Sequence, residues 1–251
     1  MGLADKVCIV TGGGSGIGRA AALLMAAQGA RVAVVGRTES KLTAVRGAIE
    51  RQGGTALALS LDVADHAAVR RMAAEVLDTW GRVDVLVNNA GHSSAHRMLL
   101  TTTPEDIRST IDSNLAGTIY CTQAVMPAMQ AAGAGTIINV ASLAGVGGSL
   151  LGGPSYSAAK AGVINFTQYL NSEFRNSGLR ASVIIPGEVD TPIVKQRPVH
   201  PSPEARATMA TSEDVARAIL LVADLPQRTL IPELTIRPTY LRDTSAEVGV
   251  K

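Results

Sequence analysis

A chain of 251 residues with 46% hydrophobic residues is long enough to bury a large core without disulfides or metal ions. Its formal net charge of +2, with no block of five like charges, argues against nucleic acid or an anionic membrane surface as a main partner. Aromatic residues make up only 3% of the chain, so neither base-stacking platforms nor an aromatic-lined pocket can be inferred.

The two cysteines, Cys8 and Cys121, fall in a predicted strand and a predicted helix. No C-x-x-C pair and no histidine at metal-ligand spacing accompany them, so we predict reduced core thiols, no metal site and a reducing compartment. The chain shows no basic leader followed by an apolar run, and no apolar stretch of membrane-spanning length. We therefore expect a cytoplasmic protein with no membrane partner.

Predicted strands and helices alternate along the chain. Strands are expected at 7–10, 31–35, 55–61, 83–87, 136–141, 179–185 and 234–237, and helices at 19–28, 38–52, 65–80, 103–132, 155–176 and 212–224. Short apolar runs of this kind are typical of parallel strands covered on both faces. The alternation predicts one α/β domain over residues 1–251, a doubly wound Rossmann domain with a mostly parallel seven-stranded sheet and helices on both faces.

A glycine-rich turn follows the first predicted strand and reads Thr11-Gly-Gly-Gly-Ser-Gly-Ile-Gly18. Its glycines let backbone N–H groups approach a bound group closely, and the helix that follows directs its positive end to the same place. A glycine run alone is a weak signal, but the strand before it and the helix after it predict a cradle for a nucleotide phosphate. The cradle residues are Gly12, Gly14, Ser15, Gly16, Ile17 and Gly18.

Unusual residues follow four of the predicted strands. They are the glycine-rich turn, the segment 88–91, Ser142 and the pair Pro186-Gly187. Open parallel sheets bind ligands beyond the carboxyl ends of their strands, near the switch in strand order. We therefore expect these four clusters to form one site.

Tyr156 and Lys160 lie four residues apart at the start of a predicted helix and so share one face of it. An ammonium about 4 Å from the phenol would lower the tyrosine pKa by roughly three units, close to working pH, before desolvation is subtracted. Ser142 would then hydrogen-bond the substrate oxygen. A solvated helix face is the alternative interpretation of such a pair.

Together these motifs resemble the short-chain dehydrogenase/reductase family over about residues 5 to 240. The matching positions are the T-G-x-x-x-G-x-G turn, Asn88-Asn-Ala-Gly91, Asn114, Ser142, Tyr156-x-x-x-Lys160 and the segment from Pro186 to Thr191. The resemblance implies an NAD(P)(H)-dependent oxidoreductase that interconverts a secondary alcohol and a ketone by hydride transfer.

The same resemblance implies a role for each matching side chain. Tyr156 is the general acid/base, and Ser142 orients the substrate oxygen. Lys160 lowers the tyrosine pKa and holds the nicotinamide ribose, while Asn114 connects to a water-mediated proton relay. The implied cofactor contacts beyond the glycine-rich turn are Asp62, Val63, Asn89, Ala90, Gly91, Tyr156, Lys160, Pro186, Gly187, Val189 and Thr191. For Asp62, the alternative is a residue that only ends a strand.

Cofactor choice depends on the end of the second predicted strand, which reads Gly36-Arg37. An acid there would bind the ribose hydroxyls of NAD and repel a 2′-phosphate, whereas Arg37 offers a fork of donors to that phosphate. We predict a preference for NADP(H), with NAD(H) possible. Ser15 stands where many NADP(H)-preferring relatives have a basic residue, and an ordinary surface arginine is the alternative for Arg37.

The substrate side is less well specified. Residues 188–211 are predicted to form a substrate loop or lid, and residues 239–251 a C-terminal tail. Gly147-Gly148 and Leu150-Leu151 are expected to shape one pocket wall. The candidates to face a small-molecule alcohol or carbonyl substrate are His92, His96, Arg97, Glu188, Arg197 and His200.

The predicted helical stretches 113–134 and 161–172 contain no charged residue. A monomer's surface helix needs a polar outer face, so we predict a homo-oligomer, and the resemblance implies a tetramer. Small polar residues that suffice to solvate these helices are the alternative.

Two other functions are alternatives to an alcohol dehydrogenase or carbonyl reductase. One is a catalytically silent NADP(H)-binding sensor or scaffold, which need not keep Asn114, Ser142, Tyr156 and Lys160 together. The other is a sugar-nucleotide epimerase or dehydratase, whose larger C-terminal substrate domain does not fit in the chain after Pro186.

Overall fold

Seven parallel strands form one sheet in the computed structural model, which describes residues 2–248. The spatial order is β3-β2-β1-β4-β5-β6-β7, and each neighbouring pair is parallel. The strands are β1 (Val7–Thr11), β2 (Arg31–Gly36), β3 (Thr55–Ser60), β4 (Val85–Asn88), β5 (Gly135–Val140), β6 (Leu179–Pro186) and β7 (Glu233–Ile236). The predicted doubly wound sheet is confirmed.

Helices cover both faces of this sheet, as predicted. They are α1 (Gly16–Ala27), α2 (Glu39–Arg51), α3 (His66–Trp80), α4 (Pro104–Ile111), α5 (Gly117–Ala131), α6 (Pro154–Glu173), α7 (Pro203–Ala207) and α8 (Ser212–Asp224). Alternate β1 side chains point to opposite faces. Cys8 and Val10 pack with α1, α2 and α8, while Val7 and Ile9 pack with α3 and α5. Within residues 2–248, none of the helices has the length and apolar character needed to cross a bilayer.

The helical region that begins after Thr103 passes through a π-helical turn, Asp112–Ala116, before it continues as α5. The hydroxyl of Thr103 accepts a hydrogen bond from the amide of Asp106 at 3.1 Å, and the Asp106 carboxylate accepts one from the Thr103 amide at 3.2 Å. This capping box fixes the start of α4. The π-turn widens the helix where Asn114 lies, as is frequent at functional sites.

The strand order reverses at β1, which has β2 on one side and β4 on the other. The loops that follow β1 and β4 leave a crevice at the carboxyl edge. The hydroxyl of Thr11 accepts hydrogen bonds from the amides of Asn89 and Ala90, both at 3.0 Å. The two loops are therefore held in one fixed arrangement.

Two segments differ from the sequence prediction. Helix α6 ends at Glu173, before the predicted Asn176, which has a positive φ of 61°. The predicted loop at 188–211 contains α7 and a 3₁₀-helix, Pro192–Gln196. Pro192 and Pro203 begin these short helices, because a proline fits the first turn of a helix.

Candidate active site

A cleft of about 520 Å³ lies along the carboxyl edge of the sheet. This volume is typical of a small-molecule or cofactor site. The predicted site residues that line it are Gly12, Gly14, Ser15, Gly16, Ile17, Arg37, Asp62, Val63, Asn89, Ala90, Gly91, Asn114, Ser142, Tyr156, Lys160, Pro186, Gly187, Val189 and Thr191. The structure thus brings residues from the first to the last third of the chain into one cleft.

Gly18 is the predicted site residue that does not line the cleft. A Cβ atom at Gly18 would lie 2.4 Å from the carbonyl oxygen of Gly12 and 2.5 Å from Nδ2 of Asn89. The structure therefore assigns Gly18 to the close packing of α1 against the turn that precedes it.

The N-terminus of α1 opens into the cleft at the glycine-rich turn. Its N-cap residue, Ser15, makes no side-chain capping bond, and the first turn contains no acid. By contrast, the side chain of Asp65 accepts a bond from Ala68 at the start of α3. The first N–H groups of α1 thus lack a side-chain acceptor, and with the helix dipole they suit a bound phosphate.

Two cations, Arg37 and Lys41, line the cleft at the end of β2 and the start of α2. Arg37 has a 65% exposed side chain, with Nη1 3.7 Å from Oδ2 of Asp62, whose Oδ1 accepts a bond from the Ala64 amide at 3.0 Å. Lys41, in the first turn of α2, also lines the cleft, and the sequence analysis missed it. Its position one helical turn after Arg37 is the signal that could have found it.

Tyr156 and Lys160 lie on the first turns of α6, as predicted. Lys160 is 4% exposed, and its Nζ lies 5.6 Å from the centroid of the Tyr156 ring. The same nitrogen donates a hydrogen bond to the carbonyl oxygen of Val140 at 2.8 Å. Burial lowers the pKa of Lys160 to about 8.

The prediction for the ionisation of Tyr156 is wrong in this state of the protein. Burial raises the pKa of the phenol, while a hydrogen bond with Ser142 and the charge of Arg97 lower it by less. Desolvation disfavours the charged phenolate, and here it outweighs the attraction of nearby cations. The cation that acts on the phenol is Arg97, and Lys160 contributes no resolved effect.

Ser142 and Asn114 reach the cleft from structured turns. The oxygen of Ser142 accepts a bond from the Ala144 amide at 3.2 Å and so caps a 3₁₀-helix, Leu143–Gly145. Asn114 is fully buried in the π-turn, and its Nδ2 donates to the carbonyl oxygens of His92 at 2.8 Å and Thr110 at 2.9 Å. Its Oδ1 accepts no hydrogen bond within residues 2–248.

Gly91 provides the space in front of this free oxygen. A Cβ atom there would lie 2.2 Å from Oδ1 of Asn114 and 3.5 Å from Nζ of Lys160. Even an alanine would therefore displace the Asn114 side chain, while its methyl group would only touch Lys160. The free oxygen consequently faces the part of the cleft that Lys160 lines.

A buried arginine lines the cleft on the side of the tyrosine. Arg97 is 6% exposed, and its Nε donates to the carbonyl oxygen of Ser94 at 2.8 Å while Nη1 donates to that of Leu151. Burial and the charge of Arg197 lower the pKa of Arg97 to about 10, and the interaction with Tyr156 raises it. The guanidinium is therefore charged at neutral pH.

Glu188, Arg197, Arg242 and Glu247 form a compact charge network, named here the Glu188 network. Arg197 contacts Glu188 at 2.9 Å and Glu247 at 2.6 Å, and Arg242 contacts Glu188 at 2.7 Å and also pairs with Glu247. Each side chain is at most 24% exposed. Sequence reasoning treated Glu188 and Arg197 separately and missed Arg242 and Glu247.

The network connects the 188–211 segment to the tail, of which residues 239–248 are described and residues 249–251 lie outside the described part. The ends of the segment meet at a parallel bridge between Val189 and Ala210, where the Asp190 amide donates to the Ala210 carbonyl at 2.8 Å. The residues of the segment that line the cleft are Glu188, Val189, Thr191, Pro192, Ile193, Val194, Gln196 and Arg197.

The other substrate-side candidates divide into two groups. His92, Arg97, Glu188 and Arg197 line the cleft, together with Leu151, whereas His96, His200, Gly147, Gly148 and Leu150 do not. His96 pairs instead with Asp106 at 2.9 Å, and His200 contacts the Lys195 carbonyl at 2.9 Å. Ser93, Ser113, Ser149 and Gln196 line the cleft without having been predicted.

Comparison with known proteins agrees with this geometry. A family model described as short chain dehydrogenase matches residues 6–201. The chain is 37% identical to the 3-oxoacyl-[acyl-carrier-protein] reductase of Synechocystis sp., covering 91% of this chain and 93% of that protein. It is 35% identical to the (2S)-[(R)-hydroxy(phenyl)methyl]succinyl-CoA dehydrogenase subunit BbsD of Thauera aromatica, covering 89% and 91%.

A solved structure extends the likeness to three dimensions. The closed form of serine dehydrogenase complexed with NADP+ has a TM-score of 0.86 and 30% identity, with 95% of this chain and 97% of that chain covered. The strand order β3-β2-β1-β4-β5-β6-β7 places a cleft at the carboxyl edge of the sheet, and the glycine-rich turn and the Tyr156–Lys160 pair both line it. The chain belongs to the short-chain dehydrogenase/reductase family of NAD(P)-dependent oxidoreductases.

Proposed function

We propose that this enzyme is an NADP(H)-dependent carbonyl reductase or alcohol dehydrogenase that interconverts a secondary alcohol and a ketone. The observation that carries the proposal is that Asn114, Ser142, Tyr156 and Lys160 line one cleft whose other end is the glycine-rich turn. This arrangement supports a role for Tyr156 as proton donor and for the Ser142 hydroxyl as a hydrogen-bond partner of the substrate.

The cofactor end fits NADP(H). The first N–H groups of α1 lack a side-chain acceptor and suit a diphosphate, while Arg37 and Lys41 offer positive charge to a 2′-phosphate. Asp62 and Val63 line the same end and would contact the adenine, and the NADP+ complex of serine dehydrogenase supports this choice of cofactor. When bound, the cofactor supplies or accepts the hydride.

Tyr156 transfers the proton at the substrate oxygen. Because burial raises its pKa, the phenol is protonated at neutral pH and can donate to a carbonyl oxygen during reduction. Ser142 holds the same oxygen through its hydroxyl group. Oxidation of an alcohol needs the phenolate and is therefore favoured by higher pH.

Lys160 and Asn114 support this proton transfer. The Lys160 ammonium lies near the Tyr156 ring, and with a pKa of about 8 it is mostly charged at neutral pH, so it can donate to the nicotinamide ribose and to a relay water. The free Oδ1 of Asn114 can accept a hydrogen bond from a relay water in the cleft. The pair thereby returns a proton to the tyrosine after each turnover.

Residues 188–211 act as the substrate loop in this proposal. Eight of them line the cleft, and the bridge between Val189 and Ala210 closes the neck of the segment. The Glu188 network anchors the segment to the tail. Opening therefore requires movement within the loop or release of this anchor.

The test is the initial rate of NADPH and NADH oxidation by the purified protein with a panel of ketones, ketoesters, diketones and aldehydes. We expect turnover that is faster with NADPH than with NADH. A panel that is silent while NADPH still binds would contradict the proposal and favour a nucleotide-binding sensor.

We also infer that the enzyme is a homo-oligomer, with a tetramer as the expected state. The exposed positions of α5 and of α6 before Glu173 carry no charge; the larger side chains among them are Gln123, Gln130, Asn165, Gln168 and Tyr169. Light scattering at micromolar concentration is the test, and a monomeric mass would contradict the inference.

We infer a cytoplasmic location from the two cysteines. Cys8 and Cys121 are free and buried, and burial raises the pKa of both thiols, which keeps them unreactive. Cell fractionation tests this inference, and recovery of the protein outside the cytosolic fraction would contradict it.

A further inference from the structure

Arg97 is a buried charge without a charged partner. Within residues 2–248 it forms no ion pair with any carboxylate. Its two hydrogen bonds go to main-chain carbonyl groups, and Nη2 donates to no described group. An arginine that is 6% exposed is normally paired, because burial of an uncompensated charge is costly.

The carboxylates of the cleft do not fill this role. Asp62 and Glu188 are the acids that line it within the described residues. Asp62 pairs with Arg37 at the cofactor end, and Glu188 belongs to the Glu188 network. Among the described residues, Arg97 is therefore a cation of the cleft that has no carboxylate partner in the protein. The proposed contacts to the cofactor do not involve it either.

Gln196 adds a neutral donor to the same part of the cleft. Its Oε1 accepts a hydrogen bond from the Ser93 amide at 3.4 Å, which leaves the Nε2 hydrogens without a partner among residues 2–248. Ser93 itself is fixed, because its hydroxyl donates to the Gly152 carbonyl at 3.0 Å. A planar guanidinium and an amide donor that line the same cleft suit the oxygens of a carboxylate.

We propose that the substrate is a small oxo acid or hydroxy acid whose carboxylate binds Arg97 and Gln196 while its reacting oxygen lies at Tyr156. The proposal rests on the proposed function and specifies its substrate class. Arg97 and Tyr156 line the same cleft and interact electrostatically, so the carboxylate and the reacting carbonyl belong to one short molecule. In 2-oxo and 3-oxo acids the carboxylate and the carbonyl group are directly bonded or separated by one carbon, so these are the acids to test.

The experiment compares 2-oxobutanoate and 3-oxobutanoate with their methyl esters as substrates for NADPH oxidation. The wild type is expected to prefer each acid over its ester. In Arg97→Gln the ratio of the two kcat/KM values should fall roughly 100-fold, as expected when one partner of a buried charged pair is removed. Arg97→Lys should recover part of the ratio, and Gln196→Leu should lower it by a smaller factor.

Arg108→Gln is the matched control, because Arg108 is exposed and does not line the cleft. Its acid-to-ester ratio should equal that of the wild type. Melting temperatures identify variants that fail to fold, and if Arg97→Gln is one of them, Arg97→Lys and Gln196→Leu decide the outcome. A wild type without preference for the acids, or an acid-to-ester ratio that Arg97 variants leave unchanged, overturns the proposal.

A binding measurement separates this proposal from the proposed function. Calorimetry on the NADP+-saturated enzyme should show that butanoate binds and butanamide does not, and that Arg97→Gln abolishes the difference. Equal binding of the two compounds overturns the carboxylate site. Failure of every carbonyl compound to turn over, with butanoate binding intact, rejects the reductase function and leaves the carboxylate site standing.

Discussion

The two ends of the cleft differ in the groups that line them: main-chain groups at the cofactor end and charged side chains at the substrate end. The cofactor end consists mainly of backbone: a glycine-rich turn, an uncapped helix N-terminus and the ends of β1 and β4. The substrate end depends on charged side chains: Arg97, Glu188 and Arg197 line it, and Arg242 holds Glu188 from outside the cleft. A site made of backbone has a short local sequence signature, whereas one made of distant side chains has none.

The largest expected effect comes from Gly91, where the two ends meet. In Gly91→Ala the new methyl group would lie 2.2 Å from Asn114 Oδ1, so that side chain must move away from its place in the cleft. We expect kcat/KM to fall by roughly 100-fold, as for other misplacements of reacting groups. Gly148→Ala is the control, because nothing lies within 4 Å of a Cβ there. Equal activities of the two variants would contradict this geometry.

Arg37 tests the cofactor end alone. In Arg37→Ala, loss of the charged contact to the 2′-phosphate should lower NADPH affinity by about tenfold to a hundredfold and leave NADH affinity unchanged. Fluorescence titration measures both affinities. Arg46→Ala is the matched control, because Arg46 pairs with Glu50 and does not line the cleft. An unchanged NADPH affinity would show that Arg37 does not select the cofactor.

Glu247 tests the substrate end alone. In Glu247→Gln the arginines of the Glu188 network share one carboxylate in place of two, which loosens the anchor of residues 188–211. We expect the substrate KM to rise about tenfold, with NADPH affinity unchanged and proteolysis within the segment faster. Glu50→Gln, which breaks an exposed pair, is the control. A KM that does not change would separate the network from substrate binding.

The network also predicts a pH dependence. The arginine neighbours hold the pKa of Glu247 below its ordinary value, so its stabilising effect is complete above the unfolded-state pKa of 4.5. This contribution is lost as the pH falls through the lower folded-state pKa. Wild type and Glu247→Gln should therefore converge in melting temperature in acid, and a constant difference would contradict the assignment.

The smallest expected effect concerns Lys160. Its pKa is about 8 in the folded protein and 10.5 ordinarily, so burial of the charge costs about 3 kcal/mol of folding free energy at pH 7. Lys160→Met removes this cost and the bond to Val140, and should be more stable by about 1–2 kcal/mol while losing activity.

The stability difference between wild type and Lys160→Met should depend on pH, because the folded and unfolded lysine bind different numbers of protons. Between pH 8 and 10.5 the unfolded lysine binds more protons than the folded one, so the wild type gains stability relative to Lys160→Met in that window. Chemical denaturation of both proteins at pH 7 and pH 10 measures the difference. A gap in unfolding free energy that does not shrink would show that the ammonium is not the origin of the cost.

The contrast between the two ends also explains what the sequence could predict. Strand and helix periodicity, with the glycine-rich turn, sufficed for the doubly wound sheet and for the cofactor end. The Tyr156–Lys160 spacing identified the right helix face, but not the balance of charge and desolvation that raises the tyrosine pKa. That balance depends on Arg97, whose position is set by main-chain contacts to Ser94 and Leu151.

The arrangement of side chains at the substrate end could not be predicted from the sequence in the same way. Glu188 and Arg197 appeared as independent loop residues, because the network that joins them is completed by Glu247, 50 positions after Arg197, and by Arg242, 54 positions after Glu188. Lys41 could have been predicted from the sequence, because it lies four residues after Arg37. For Gly18, the pattern indicated a ligand contact where the structure shows close packing of α1.

The most direct test of the account is the separation of binding from chemistry at Tyr156. We predict that Tyr156→Phe binds NADPH with wild-type affinity while kcat for carbonyl reduction falls about 1,000-fold, because general acid catalysis is lost and the backbone cradle is intact. A variant that keeps its turnover would contradict the role of Tyr156, and a variant that loses NADPH affinity would contradict the independence of the two ends.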